Sequence, residues 1–328
     1  MKINIFGVGR AGTKAIQLYI AYCLARANGR VKVIYEPYVF HSRRGPLNYE
    51  GLYYNFNEPQ FMEGAGELSR GHRQFLAKLN EASGAPAGVA KFIYGNGRIA
   101  AINAVTQPDL TIVIVRDLYE SLASLASTFW DYLSFGYFLL GRSYITKYPA
   151  LLREIEQKNI VPAFDSLRPQ INDTFAQNAL FWYAMNLSAL RYDSPNAIFL
   201  NYADMEHLPE LLNHRLRTDI FQEGELLKNR VLTGRNLHGD WPLHTVGQVG
   251  THAFGQAINQ LAYFARQNRS KPPFGFPIGT VEAPREGDKP DTAGRPADGP
   301  KTRIRIEPNA LLDLFNEKVM QHPKLIRP

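Results

Sequence analysis

A single cysteine, Cys23, stands in 328 residues, which excludes an intrachain disulfide. No apolar run approaches the ~18–20 residues that a membrane-spanning helix needs. A core strand expected from residue 3 leaves no place for a secretory leader, so a cytoplasmic protein without a transmembrane segment is expected. Basic runs and aromatic RNA-binding motifs are also lacking. The excess of 37 basic over 30 acidic residues, a net +7, therefore suits a polyanionic cofactor or an anionic acceptor better than nucleic acid. Internal repeats are absent. With 45% hydrophobic and 20% charged residues, the chain reads as a soluble globular enzyme, one elaborated α/β domain rather than two.

What is present begins at once. Ile3 to Phe6 form a short apolar run, Gly7, Gly9 and Gly12 break it, and Ala15 to Leu24 continue as an apolar helix. Strand, glycine-rich turn and helix together build an anion cradle, because free N–H groups at the helix start point at a phosphate or sulfate. The nucleotide-triphosphate loop requires Gly-Lys-Ser/Thr at its end; here Thr13 and Lys14 follow Gly12 in the opposite order. Gly7, Gly9 and Gly12 match the dinucleotide fingerprint literally, with Glu36 as its acidic residue, but such a loop alone does not identify the ligand.

A second strand–helix unit narrows the choice. Ile112 to Val115 are an unbroken β-branched run, suited to a strand buried on both faces. Arg116 stands at its end and Ser121 and Ser124 follow on a helix. A kinase would carry a metal-holding carboxylate at this strand end. Asp117, the next residue, is expected to cap the helix instead. An arginine at a strand end and a hydroxyl about two turns later suit a second phosphate held without metal.

These two units resemble the sulfotransferases that use 3′-phosphoadenylyl sulfate (PAPS), the carbohydrate-type and bacterial branch more than the cytosolic aryl type. GRAGTK aligns with the family's first loop, with Arg10 at its basic position and Gly12 and Thr13 on its Gly-Thr. Arg116 and Ser124 have the spacing of its second motif. Gly9 stands where the family has proline, and Ala11 and Lys14 where it has hydroxyl residues. VIYEPYVF, GVAKFIYGNGRIAAINAVTQPDLTIVIVRD and AIFLNYADMEHLPELL are similar to further segments in the right order, so the likeness covers about residues 1 to 215. HGDW at 238–241 resembles a segment of the cytosolic members with unrelated flanks.

The resemblance implies a P-loop-like, doubly wound central parallel sheet flanked by helices on both faces. It assigns the 5′-phosphosulfate to Gly9, Arg10, Ala11, Gly12, Thr13 and Lys14, and the 3′-phosphate to Arg116 and Ser124. Arg235, with Arg230 and His238, would close over the adenosine. PAPS is the implied donor and 3′-phosphoadenosine 5′-phosphate (PAP) the product, with no metal. Sulfuryl transfer needs charge neutralisation at the leaving phosphate and a base for the acceptor proton. Arg10, helped by Lys14, would supply the first. Glu36 would supply the second from the end of a strand expected beside the first, with His41 and His72 as alternatives. Each has a plainer reading: Arg10 closing a surface turn, Lys14 facing solvent, Arg116 in an ion pair, Ser124 a small packing residue, Glu36 paired with Arg10 or Arg43. Lys91 and Arg98, on the strand–turn unit KFIYGNGR, could reach the site, with packing at the core edge as their default.

Residues 1–270 are read as the α/β domain. Residues 271–303, which include seven Pro and five Gly between 272 and 300, read as an extended or mobile segment, and 304–328 as a strand and helix packing back. Tyr49, Tyr53, Tyr54 and Trp130 offer stacking surfaces for a sugar or aromatic acceptor, with the core as their plainer place; the acceptor hydroxyl is expected on a saccharide, glycolipid or natural product. A P-loop small-molecule kinase and a non-catalytic binding module on the same fold are the alternatives. The sequence sets no oligomeric state.

Overall fold

The run Leu110–Val115 has no polar alternation, so it needs cover on both faces, and the computed structural model places it near the middle of a sheet with all six residues buried. The model describes residues 1–35, 68–81, 87–126, 132–137, 142–221, 278–282, 306 and 309–325. The parallel strands are β1 (Lys2–Phe6), β2 (Arg30–Tyr35), β3 (Gly88–Phe92), β4 (Leu110–Val115) and, after a separate hairpin of β5 (Ser134–Tyr137) and β6 (Arg142–Thr146), β7 (Ala197–Asn201). β8 (Ile278–Glu282) adds an antiparallel edge. Their order is β7-β4-β1-β3-β2-β8. Ile5 stands opposite Lys91 of β3 on one side and Ile112 of β4 on the other.

The sequence reading sets the second strand beside the first; instead β3 lies between them. The helix after β1 carries the chain across one vacant position, which β3 later fills. β2 is therefore ~10 Å from β1, two strand spacings rather than one. The aromatic stretch around residues 134–146 holds the β5–β6 hairpin, which the sequence reading does not anticipate. β8 falls within the Pro/Gly-rich segment.

Helix α1 (Thr13–Asn28) packs against β1, β2 and β3. Helix α2 (Arg70–Glu81) packs on α3 (Ile99–Thr106), which a 3₁₀ turn at Asn96–Arg98 introduces. Helix α4 (Leu118–Ala126) follows β4. After α5 (Tyr148–Lys158) and the short α6 (Phe164–Leu167), α7 (Thr174–Leu190) packs against that 3₁₀ turn, α4 and α5. Ala179 to Met185 are all buried, as expected of a helix apolar on every face. Helix α8 (Leu208–Leu216) follows β7 after a 3₁₀ segment, and α9 (Ala310–Met320) packs on α7 and α4. Among the described residues no helix is long and apolar enough to cross a membrane.

One polar network runs through this core. Asn4 Nδ2 donates to Asn103 Oδ1 and Thr106 Oγ1, both at 2.8 Å. Asn103 Nδ2 donates to Thr111 Oγ1 at 2.8 Å and to the Tyr192 hydroxyl at 3.0 Å. Asn103 thus ties β1, β4 and α3 together, and its loss leaves several buried partners unsatisfied. Asn103→Ala is expected to destabilise the fold by about 2–4 kcal/mol, read as a lower urea midpoint; a change below about 0.5 kcal/mol would show the network to be dispensable.

Candidate functional site

In an open α/β sheet, ligands bind beyond the carboxyl ends of the strands where successive connections leave in opposite directions. Here that point is β1: the chain goes from β1 to β2 on one side, then from β3 past β1 to β4 on the other. Three segments meet there, the loop 7–12 after β1, the turn 93–98 after β3 and Arg116 after β4.

The loop is a folded object. Ala11 N donates to Val8 O at 3.1 Å. Arg10 has φ 72° and Gly12 φ 88°, so two of its residues are left-handed, a conformation that costs an L side chain roughly 1–2 kcal/mol. Gly12 then starts α1, its carbonyl accepting from Ala15 N at 3.0 Å. Glycine is needed here on two counts, since a Cβ would also overlap the Tyr202 ring. At Gly7 a Cβ would come within 2.6 Å of the Thr13 methyl, so α1 is drawn close against the strand ends.

Side chains from distant elements hold the loop's carbonyls. The Tyr132 hydroxyl donates to Gly9 O at 2.8 Å, and Arg116 Nη1 donates to Arg10 O at 3.1 Å. Tyr132 is buried and stacks on Phe181 at 4.8 Å. Burial pushes its hydroxyl pKa up, and the nearby Arg10 and Arg116 charges oppose that shift.

Arg116 is 5% exposed. Its Nε donates to Glu120 Oε2 at 2.8 Å, one turn along α4, and its guanidinium lies 4.7 Å from the centre of the Tyr202 ring. Ser124, 1% exposed, accepts from Arg10 Nε at 2.8 Å across 114 residues of sequence. The start of α4 is pinned from the far end of the chain. Asn316 of α9 donates to Asp117 Oδ2 at 2.6 Å and accepts from Leu118 N at 2.9 Å. Asp117 Oδ1 accepts from Glu120 N at 3.1 Å, so this carboxylate caps the helix as the sequence suggests.

The structure thus gathers Gly9, Arg10, Ala11, Gly12, Thr13, Arg116 and Ser124 at one place. Lys14, in the first turn of α1, is exposed, while Thr13 is buried. Glu36, His41, Arg230, Arg235, His238, Tyr49, Tyr53, Tyr54 and Trp130 lie outside the described residues. Lys91 and Arg98 are both buried, and Arg98 Nη2 donates to Tyr94 O at 3.2 Å. Ser121 is buried in α4 and takes no part in these contacts.

His72 lies in α2 rather than in an irregular segment, and it is fully buried. Burial first, and the Arg98 charge second, lower its pKa to about 3, so it is neutral at pH 7. Because the folded pKa is depressed, the unfolded chain takes up a proton below pH ~6.5 that the folded chain refuses. Stability is expected to fall as pH drops from about 6.5 towards 3, by at most roughly 1.4 kcal/mol per pH unit from this group. His72→Gln should flatten that slope in unfolding titrations; an unchanged slope would place its origin elsewhere.

Tyr132, Tyr202, Glu120 and Asn316 are the working parts that sequence reasoning misses. Tyr202 had a signal, an aromatic immediately after a strand at the same sheet edge. Glu120 had one too, an acid at i+4 from Arg116. Tyr132 and Asn316 had none, since their roles depend on contacts across 123 and 198 residues. Comparison with protein-family models, characterised proteins and solved structures yields no match for this chain, so function is argued from the site.

Proposed function

We propose that this protein is a PAPS-dependent sulfotransferase acting in the cytoplasm on an acceptor hydroxyl of a saccharide, glycolipid or natural product. The observation that carries the reading is the convergence of Arg10, Arg116 and Ser124, from two separate strand ends, beside a glycine loop that opens a helix. The parallel order β2-β3-β1-β4-β7, with that loop on the central strand, supports the P-loop-like, doubly wound form of the fold. The strand-end charge also favours it over a kinase. An arginine stands where a metal carboxylate belongs, and Asp117 is committed to Asn316 and the helix start.

The donor set fits PAPS. Gly7 and Gly12 let the loop pack tightly on Thr13 and on the Tyr202 ring, where a Cβ would overlap, and the α1 N-terminus presents its amides at the same edge. Arg116 and Ser124 would hold the 3′-phosphate, and Gly9 to Lys14 the 5′-phosphosulfate. PAPS supplies an activated sulfuryl group: its S–O bond to the phosphate breaks as a bond to the acceptor oxygen forms. Arginine and lysine neutralise the charge arriving on the leaving phosphate. Glu36, next after β2, would take the acceptor proton, with His41 as the alternative; His72, buried and neutral with a low pKa, is a poor proton acceptor. Arg235 would close over the adenosine.

Calorimetric titration with PAP, and with ATP plus magnesium, tests this reading. Metal-independent binding of PAP at micromolar concentrations is expected. Binding of ATP with magnesium in its place would make the protein a kinase, and binding of neither would leave a non-catalytic module.

A further inference from the structure

Arg116 is held from behind, and the hold begins near the other end of the chain. Helix α4 starts two residues after it, and the first N–H groups of a helix have no partner within the helix. Two side chains supply partners here. Leu118 N donates to Asn316 Oδ1 at 2.9 Å, and Glu120 N donates to Asp117 Oδ1 at 3.1 Å. Asn316 Nδ2 also donates to Asp117 Oδ2 at 2.6 Å, so one amide on α9 grips the two residues at which α4 begins. The grip repeats on the same face of α9, where Asp313 Oδ1 accepts from the Tyr119 hydroxyl at 2.6 Å. Helix α9 is itself fixed: Leu312, Phe315 and Val319 are buried, and Phe315 stacks on Tyr183 of α7 at 4.4 Å.

Residues 117, 118 and 119 are thus bound to α9, and residue 120 turns back to the ligand site: Glu120 Oε2 accepts from Arg116 Nε at 2.8 Å. Nε is the donor closest to the arginine stem, so a carboxylate placed there sets the plane of the guanidinium fork. That plane matters, because a fork meets a phosphate in a defined orientation. The Glu120 side chain is 35% exposed, and such a pair contributes too little to hold a helix in place. The helix has to be held by other bonds, and those from α9 do so. From this chain of contacts we infer that Asn316 is a positioning residue for the anion site. Through Asp117 and the first turn of α4 it sets Glu120, and through Glu120 the Arg116 guanidinium. The inference rests on the proposed function for the anion, the 3′-phosphate, and on these bonds alone for the positioning.

Asn316→Ala, Asn316→Asp and the exchange Asp117→Asn/Asn316→Asp test it. Alanine favours helix more than asparagine does, so α9 is kept, and thermal melting checks this. Asn316→Asp keeps the shape but sets a second carboxylate against Asp117. The exchange restores the pattern: an amide at position 117 donates to a carboxylate at position 316, which still accepts from Leu118 N. If the alanine variant does not fold, the aspartate variant and the exchange carry the comparison. Two quantities are measured on each. One is the NMR order parameter of the Arg116 Nε–H bond, assigned by its absence in Arg116→Lys. The other is calorimetric affinity for PAP and for 5′-AMP, which lacks the 3′-phosphate. Both single variants should lower the order and weaken PAP about three- to thirtyfold, with 5′-AMP nearly unchanged, and the exchange should restore both. A brace with no part in the site would lower only the melting temperature; wild-type order or wild-type PAP affinity in the single variants overturns the inference. Failure of the exchange to restore them overturns it too. Equal loss for the two nucleotides also overturns it and leaves the sulfotransferase reading standing. If wild type binds neither nucleotide, the sulfotransferase reading falls and the order parameter alone decides. Loss in the single variants with recovery in the exchange then sustains the inference, and unchanged order overturns it.

Discussion

Arg116→Ala should weaken PAP binding by at least about a hundredfold. The guanidinium is a rigid fork, and the structure uses it in three directions. Nε reaches Glu120, Nη1 reaches the Arg10 carbonyl, and its face lies over Tyr202. Donors remain for a phosphate, since the group carries five N–H bonds. Each charge-assisted bond lost is worth about 1.5–3 kcal/mol, and two such bonds already correspond to a hundredfold or more. The loop suffers as well, because the Arg10 carbonyl loses its donor. Arg116→Lys separates the contributions. It keeps the charge, but an ammonium does not reproduce the planar fork; a loss of about tenfold or more is expected there. Calorimetry on both variants checks this, and wild-type affinity in the alanine variant would remove Arg116 from the site.

The second large effect is on stability. Gly12→Val should cost about 2–5 kcal/mol, from positive φ and from overpacking against Tyr202. The molecule contains its own control. Gly29 also has positive φ, at 76°, yet nothing lies within 4 Å of where its Cβ would be. Gly29 has ψ −33° where Gly12 has ψ 2°, so it lies outside the left-handed helical region, and Gly29→Ala measures a positive-φ cost without overlap, of about 1–3 kcal/mol. Gly12→Ala should exceed it, and adding Tyr202→Ala should remove the difference due to overlap while adding the cost of the lost ring. Urea unfolding of the set reads this directly. If the Gly12→Ala loss is the same in the wild-type and Tyr202→Ala backgrounds, Tyr202 yields to the new methyl without cost.

Much of the local structure follows from short-range pattern. The apolar runs at 3–6 and 112–115 fall within the strands at 2–6 and 110–115, and the helix read within 304–328 stands at 310–320. Arg116 and Ser124 are legible for the same reason: a strand end and a helix fix eight residues of spacing. The α4 cap at Asp117 is local too. The hairpin at 134–146 escaped because its aromatic residues fit helix, strand or loop equally well.

By itself, then, the sequence determined the α/β alternation, the glycine loop and the strand-end arginine, because each depends on neighbours within a few residues. Tertiary structure alone decided that β3 stands between β1 and β2, since strand order depends on which vacant edge a later strand fills. It decided that Arg10 bonds Ser124, that Tyr132 holds Gly9, and that a helix near the end of the chain caps the one after Arg116. Those contacts join residues more than a hundred positions apart, and only the packing of the sheet and its helices brings them within hydrogen-bonding distance.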